Sequence, residues 1–254
     1  MRLPQGSFLS SARIGIRNEL QFAGMAVLPI IQGMPAGSEL TGLLHPKEKE
    51  KAAAFASEIR RISFIYGRIA AKLAILKVFP EVRAQEINIV NGALGEPVVE
   101  WKGSEHPVSI SHSEHHSAGL VFPPGIPMGI DIETPEEKNR SIIPSILSPD
   151  EMQLLTAAND SIEFLHLLWT AKEAAGKANG QGFRLPVEQY EIKTVTICER
   201  DGRQYFLSQF SRLAGFHALT VILDKAVLSV AFPSWPGLPD QVTRLLKNHS
   251  RKQS

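Results

Sequence analysis

The chain has 254 residues and a formal net charge of +1, enough length for one large domain or two halves and no electrostatic case for a nucleic-acid partner. Its single cysteine, Cys198, forbids an internal disulfide and points to a reducing, cytoplasmic compartment. The longest early apolar run, "AGMAVLPIIQGM", is interrupted by Pro29 and is too short for a membrane span, and the N-terminal stretch lacks the apolar core of a secretion signal.

In chain order, "AVLPII" (26–31) is predicted to be a strand. His45 and Pro46 open a long helical region ending at Pro80, in which Phe55, Ile59, Ile62, Ile69, Leu73 and Leu76 recur at the three- and four-residue steps of a buried face. Lys51, Arg60, Arg61, Arg68 and Lys72 fall mostly off that stripe. "INIV" (87–90) reads as a short strand, "NGALGEP" as a turn, and "PVSISHS" and "SAGLVF" as neighbouring strands around a polar loop. "FPPGIP" (122–127) is rigid and irregular, and the boundary between two halves, 1–122 and 123–254, is placed there. The second half continues with the strand "MGIDIE", a capped helix "SPDEMQLLTAA" and a helix from about Ser161 to Asn179 that Gly180 and Gly182 end. Four further strands, "YEIKTVTI", "RQYFLSQF", "HALTVIL" and "AVLSVAF", complete an α+β pattern.

Three stretches carry candidate chemistry. In "MGIDIE", strand alternation turns Asp131 and Glu133 to one face, their Cα atoms roughly 6.5–7 Å apart. Two carboxylates so placed can share a hard cation such as magnesium, or form a solvated acidic face. In "WTAKEAAGKANGQG", Glu173 and Lys177 form either an ordinary surface pair one helical turn apart or part of a site, with Ala174, Ala175 and Gly176 clearing space for a ligand. In "SISHS", Ser111 and His112 end a strand where they can donate to a phosphate. The spacing of His112, His115 and His116, without cysteine or a second pair, does not suit zinc.

Taken together, "SISHS", "GIDIE" and "WTAKEAAGKA" resemble the 4′-phosphopantetheinyl transferase superfamily. Upstream, "RRISFIYGRIAAKLAI" resembles the basic helix of its enterobactin-synthetase type, "GALGEP" its Gly-x-Pro turn and "GFRLP" the segment after its catalytic helix, so the likeness runs from about Pro46 to Pro186. The resemblance implies two similar α+β halves related by a pseudo-twofold, with coenzyme A between them. It also implies transfer of phosphopantetheine from coenzyme A to a serine of an apo-acyl or peptidyl carrier protein by a monomeric, magnesium-dependent enzyme.

By position, Asp131, Glu133 and Glu173 match the magnesium ligands, and Glu173 also the general base. Lys172 and Lys177 match lysines beside the pyrophosphate, Ser111 and His112 contacts to the nucleotide end, and Arg60 and Arg68 arginines that hold its phosphates. Gly95, Glu96 and Pro97 match the turn near the adenine. Many members carry a lysine at that turn, and some carry one where Gln181 stands; here the first contact is either missing or supplied from elsewhere, such as Lys102. A module that binds coenzyme A or a carrier without turnover is the alternative, and a magnesium-dependent phosphohydrolase a third reading; the first has no use for the complete acidic set, the second none for the upstream arginines.

Overall fold

The computed structural model describes residues 3–16, 19–31, 39–101, 106–180 and 182–247. They divide into two compact units, one comprising Met1–Gly125 with Arg244–Ser254, the other Ile126–Thr243. No helix among the described residues is long and apolar enough to cross a membrane.

The first unit opens with a hairpin, β1 (Phe8–Ile16) and β2 (Glu19–Pro29). Helices α1 (Pro46–Ala53) and α2 (Glu58–Val78) follow, then a small hairpin, β3 (Asn88–Asn91) and β4 (Pro97–Glu100), then β5 (Val108–His112) and β6 (His116–Val121). The main sheet has the order β1-β2-β6-β5, antiparallel throughout, and α2 packs on it. The expected single helical region is thus two helices, broken at 54–57, with Ser57 capping α2. Within α2 the stripe also differs from the sequence pattern. Ile59 is 73% exposed, whereas Arg68 and Lys72, placed off the apolar face by pattern, are buried.

The second unit begins with β7 (Gly129–Glu133), followed by α3 (Pro149–Ala157), α4 (Ile162–Ala178) and strands β8 (Ile192–Arg200), β9 (Arg203–Phe210), β10 (Phe216–Ile222) and β11 (Val227–Pro233). The sheet order is β7-β11-β10-β9-β8, so β7 stands at its edge paired along β11, and α4 lies across both. A last helix, α5 (Leu238–Leu246), buries Leu238, Val242, Leu245 and Leu246, and its end from Arg244 groups with the first unit, where Ser10 Oγ donates to Leu245 O at 2.7 Å.

The two units repeat one local plan. In each, a proline-led helix carries a glutamate at its third position that accepts from the backbone N–H of the capping residue: Glu48 from His45 and Glu151 from Ser148. The same carboxylate accepts the N–H of a later chain segment, Ile89 or Ile192, and pairs with a fully buried lysine, Lys72 at 2.6 Å or Lys172 at 2.7 Å. The lysines lie in matching helical stretches, "AKLAILK" in α2 and "AKEAAGK" in α4. A glycine lets each helix close onto its strand: a Cβ on Gly24 would meet Ala74 O at 2.3 Å, and one on Gly129 would meet Ala174 O at 2.1 Å. By these contacts Ala26, Leu28 and Leu73 of the first unit stand where the second has Asp131, Glu133 and Glu173.

Candidate functional site

The acidic residues of the second unit come from two elements. Alternation along β7 sends Ile130 and Ile132 to one face and Asp131 and Glu133 to the other, toward α4. Asp131 is buried, so the solvated acidic face is not what forms. Lys177 reaches across from α4 and donates to Asp131 Oδ1 at 2.7 Å and to Ile130 O at 3.2 Å. The surface pair suggested by the Glu173–Lys177 spacing is therefore replaced by a helix-to-strand ion pair.

Burial and the neighbouring Asp131 push the Glu173 carboxyl up to about 7, with Lys177 opposing. Burial, then Asp131, push Glu133 up to about 8, while Lys177 and a hydrogen bond from Trp169 pull the other way. Two carboxyls raised by burial and by the Asp131 charge are short of positive charge. Among the described residues they and Asp131 do not close into a ready-made cage of three metal-holding groups. Their chemistry still fits a hard divalent cation, which takes oxygen ligands and completes its shell with water and phosphate oxygens.

The first unit holds an open cavity of about 560 Å³. Arg60, Arg68, Gly95, Pro97 and His112 line it, five of the residues expected at the nucleotide end. Arg68 is fixed from two sides: Nη2 donates to Asn91 Oδ1 at 2.9 Å, and Cζ sits 4.8 Å from the centroid of the Phe64 ring. Its Nε is buried and finds no hydrogen-bond partner among the described residues, and burial lowers its pKa from the ordinary arginine value. A buried guanidinium with a spare donor is the feature of an anion site. Phe64 and Asn91 escaped the sequence reading, because an aromatic on a helix and an asparagine in a hairpin are common in other roles. Gly95 takes φ +88°, which its turn requires and which a side chain would strain.

Three other expected residues make contacts of their own. Lys172 is only 1% exposed and its ammonium is held by Glu151, so it serves the interior of the unit and leaves the phosphate-binding set. Glu96 does not line the cavity; its carboxylate folds back to accept from Leu94 N at 2.9 Å and braces the turn. Ser111 is buried in β5, where its carbonyl accepts from Ser117 Oγ. Lys102 and Gln181 lie outside the described residues.

The model of the 4′-phosphopantetheinyl transferase superfamily matches residues 127–231, the span that holds Asp131, Glu133, Glu173 and Lys177. A holo-[acyl-carrier-protein] synthase of Staphylococcus carnosus is 36% identical over 85 residues, which cover 32% of this chain and 73% of that protein. The chain belongs to the 4′-phosphopantetheinyl transferase superfamily. The synthases of Staphylococcus epidermidis (33% over 85 residues, 32% of this chain and 73% of theirs) and Staphylococcus aureus (34% over 84 residues, 31% and 71%) are similar in the same way. The superfamily match falls in the second unit, where the acidic residues are complete. The first unit repeats the plan with apolar residues at those positions and adds the arginine-lined cavity.

Proposed function

We propose that the protein is a magnesium-dependent 4′-phosphopantetheinyl transferase that moves 4′-phosphopantetheine from coenzyme A to a serine of an apo-carrier protein. The observation that carries this reading is the convergence of Asp131 and Glu133 from β7 with Glu173 and Lys177 from α4, inside the segment that matches the superfamily. Asp131, Glu133 and Glu173 would hold the magnesium, which neutralises charge on the pyrophosphate and orients its oxygens. Arg60, Arg68 and His112 bind the nucleotide's phosphates in the first-unit cavity.

The serine hydroxyl attacks the phosphorus that bears pantetheine. That P–O bond forms as the bond to the bridging oxygen breaks, and adenosine 3′,5′-bisphosphate leaves. Glu173 takes the serine proton. An ionised carboxylate can accept that proton near neutral pH. Lys177, half-exposed and bonded to Asp131, is placed to shift its charge to the pyrophosphate. The single Cys198 and the two-unit layout support a monomeric cytoplasmic enzyme, and acyl and peptidyl carriers are the substrate class.

The test is incubation with coenzyme A, magnesium and a panel of apo-acyl and apo-peptidyl carriers, read by intact mass. Gain of one phosphopantetheine mass on a carrier serine is expected. Binding of coenzyme A without any gain would leave a binding module, and release of phosphate without a modified carrier would leave a hydrolase.

A further inference from the structure

Three hydroxyls form a buried ladder beside the acidic residues of the second unit. Thr170 Oγ1 on α4 lies 2.7 Å from Ser229 Oγ on β11, and Ser229 Oγ lies 2.7 Å from Thr220 Oγ1 on β10. All three side chains are fully buried. Ser229 is the cross-strand partner of Asp131, so the two side chains are neighbours on one face of the sheet. Thr170 sits one helical turn before Glu173 and on the same side of α4. The ladder therefore joins a residue beside Asp131 to a residue beside Glu173, bridging the two elements whose carboxylates must meet.

The first unit supplies an internal control. Gly24 and Gly129 make the same close approach to Ala74 and Ala174, which aligns Thr170 with Ala70. Strand pairing then aligns Ser229 with Gly119, the partner of Ala26, and Thr220 with Ile110, the partner of Gly119. Where the acidic residues are replaced by Ala26, Leu28 and Leu73, every rung of the ladder is replaced by a residue without a hydroxyl. There α2 packs straight onto Gly119, whose added Cβ would meet Ala71 N at 2.4 Å. A helix can thus lie on this sheet through small apolar residues alone, and packing does not demand the hydroxyls.

We propose that Thr170, Ser229 and Thr220 are positioning residues: their hydrogen bonds fix the register of α4 on β11 so that Glu173 faces Asp131 and Glu133, the carboxylates proposed to hold the divalent cation. The inference rests on the magnesium reading above. A hydrogen bond tolerates only a few tenths of an ångström, whereas one residue of slip along a helix is about 1.5 Å. Apolar contact alone sets no such limit.

The experiment uses the full chain with Thr170→Val, Ser229→Ala and Thr220→Val, and Thr170→Ser as the variant that keeps the hydroxyl. Thermal melts identify the folded variants, and Mg2+ is titrated calorimetrically into protein saturated with coenzyme A. In parallel, transfer to an apo-carrier is followed against Mg2+ concentration. Groups that orient metal ligands from behind are worth about tenfold or more in metal affinity. Thr170→Val and Ser229→Ala are expected to weaken Mg2+ by about tenfold and to raise the Mg2+ needed for half-maximal transfer correspondingly, with Thr170→Ser close to wild type. Folded variants with lowered melting temperature but wild-type Mg2+ affinity would overturn the proposal and make the ladder ordinary core. Failure of the wild-type protein to bind Mg2+ at all would instead sink the magnesium reading itself.

Discussion

Lys172 separates two accounts of the helix that carries Glu173. Lys172→Met keeps the bulk of the side chain and removes the ammonium 2.7 Å from Glu151 Oε2. Glu151 would retain the N–H groups of Ser148 and Ile192, both at 2.8 Å, but would hold a buried charge with its cation gone. Breaking a buried ion pair from one side costs about 3–5 kcal/mol. For a chain of this size each kcal/mol moves the melting temperature by roughly 2–4 °C, so a fall of roughly 6–20 °C is expected. Adding Glu151→Gln removes the stranded charge and leaves an amide oxygen for the backbone donors, so the double variant should recover much of the loss. The assay is a thermal melt of the single and double variants with a calorimetric titration of coenzyme A into the folded protein. Unchanged coenzyme A affinity in a destabilised Lys172→Met protein is the expected result. A variant that melts with wild type but binds coenzyme A poorly would refute the reasoning and return Lys172 to the phosphates.

Arg60→Ala should weaken coenzyme A by about 10–100-fold, the equivalent of losing one charged hydrogen bond worth about 1.5–3 kcal/mol, with a smaller change in rate at saturation. Equal affinity for wild type and variant, measured by calorimetry, would empty the cavity of its assigned ligand. His112→Ala should lose the preference for coenzyme A over its 3′-dephospho analogue, and an equal loss with both ligands would assign His112 elsewhere. For pH, Glu133 at about 8 and Glu173 at about 7 both lie above the ordinary carboxyl value of 4.5, so the folded, metal-free protein holds protons more tightly than the unfolded chain. Stability from these groups is full below the unfolded value and is lost as pH rises through about 7 and 8. Magnesium competes with those protons, so its affinity, and the melting-temperature gain it gives, should grow from about pH 6 to about pH 9. A gain independent of pH would contradict the shared carboxylate site.

Element types were legible wherever one face is buried against solvent. The alternation of "MGIDIE", the cap at Ser148 and the glycines at Gly180 and Gly182 located β7, α3 and the end of α4. The opening hairpin was half missed, because the buried face of β1, Phe8, Ser10, Ala12 and Ile14, mixes apolar with small and polar residues. Helix α5 was missed although Leu238, Val242, Leu245 and Leu246 recur at helical spacing, a signal present in the sequence. The largest gap concerned buried charge. Periodicity treats a lysine as a surface residue, and only tertiary structure reveals that Glu48 and Glu151 turn inward to meet Lys72 and Lys172. The same limit applied at the acidic site, where spacing named Asp131, Glu133, Glu173 and Lys177 but not the ion pair that Lys177 makes with Asp131 across the elements. The repeat of one plan in two units came only through the family resemblance, because "AKLAILK" and "AKEAAGK" diverge at the position where the chemistry differs.

The central claim, that Glu173 belongs to chemistry rather than to the helix surface, is tested by the rate of phosphopantetheine transfer in Glu173→Gln. Glutamine keeps the size and nearly the helix propensity of glutamate, so the fold should persist. It removes the group that takes the serine proton, whose loss typically costs about 10²–10⁴-fold, and one carboxylate of the proposed magnesium site. Transfer to an apo-carrier at saturating coenzyme A and magnesium, followed by intact mass, should fall by at least about a hundredfold in a protein that melts near wild type. Transfer within a few-fold of wild type would contradict the catalytic assignment.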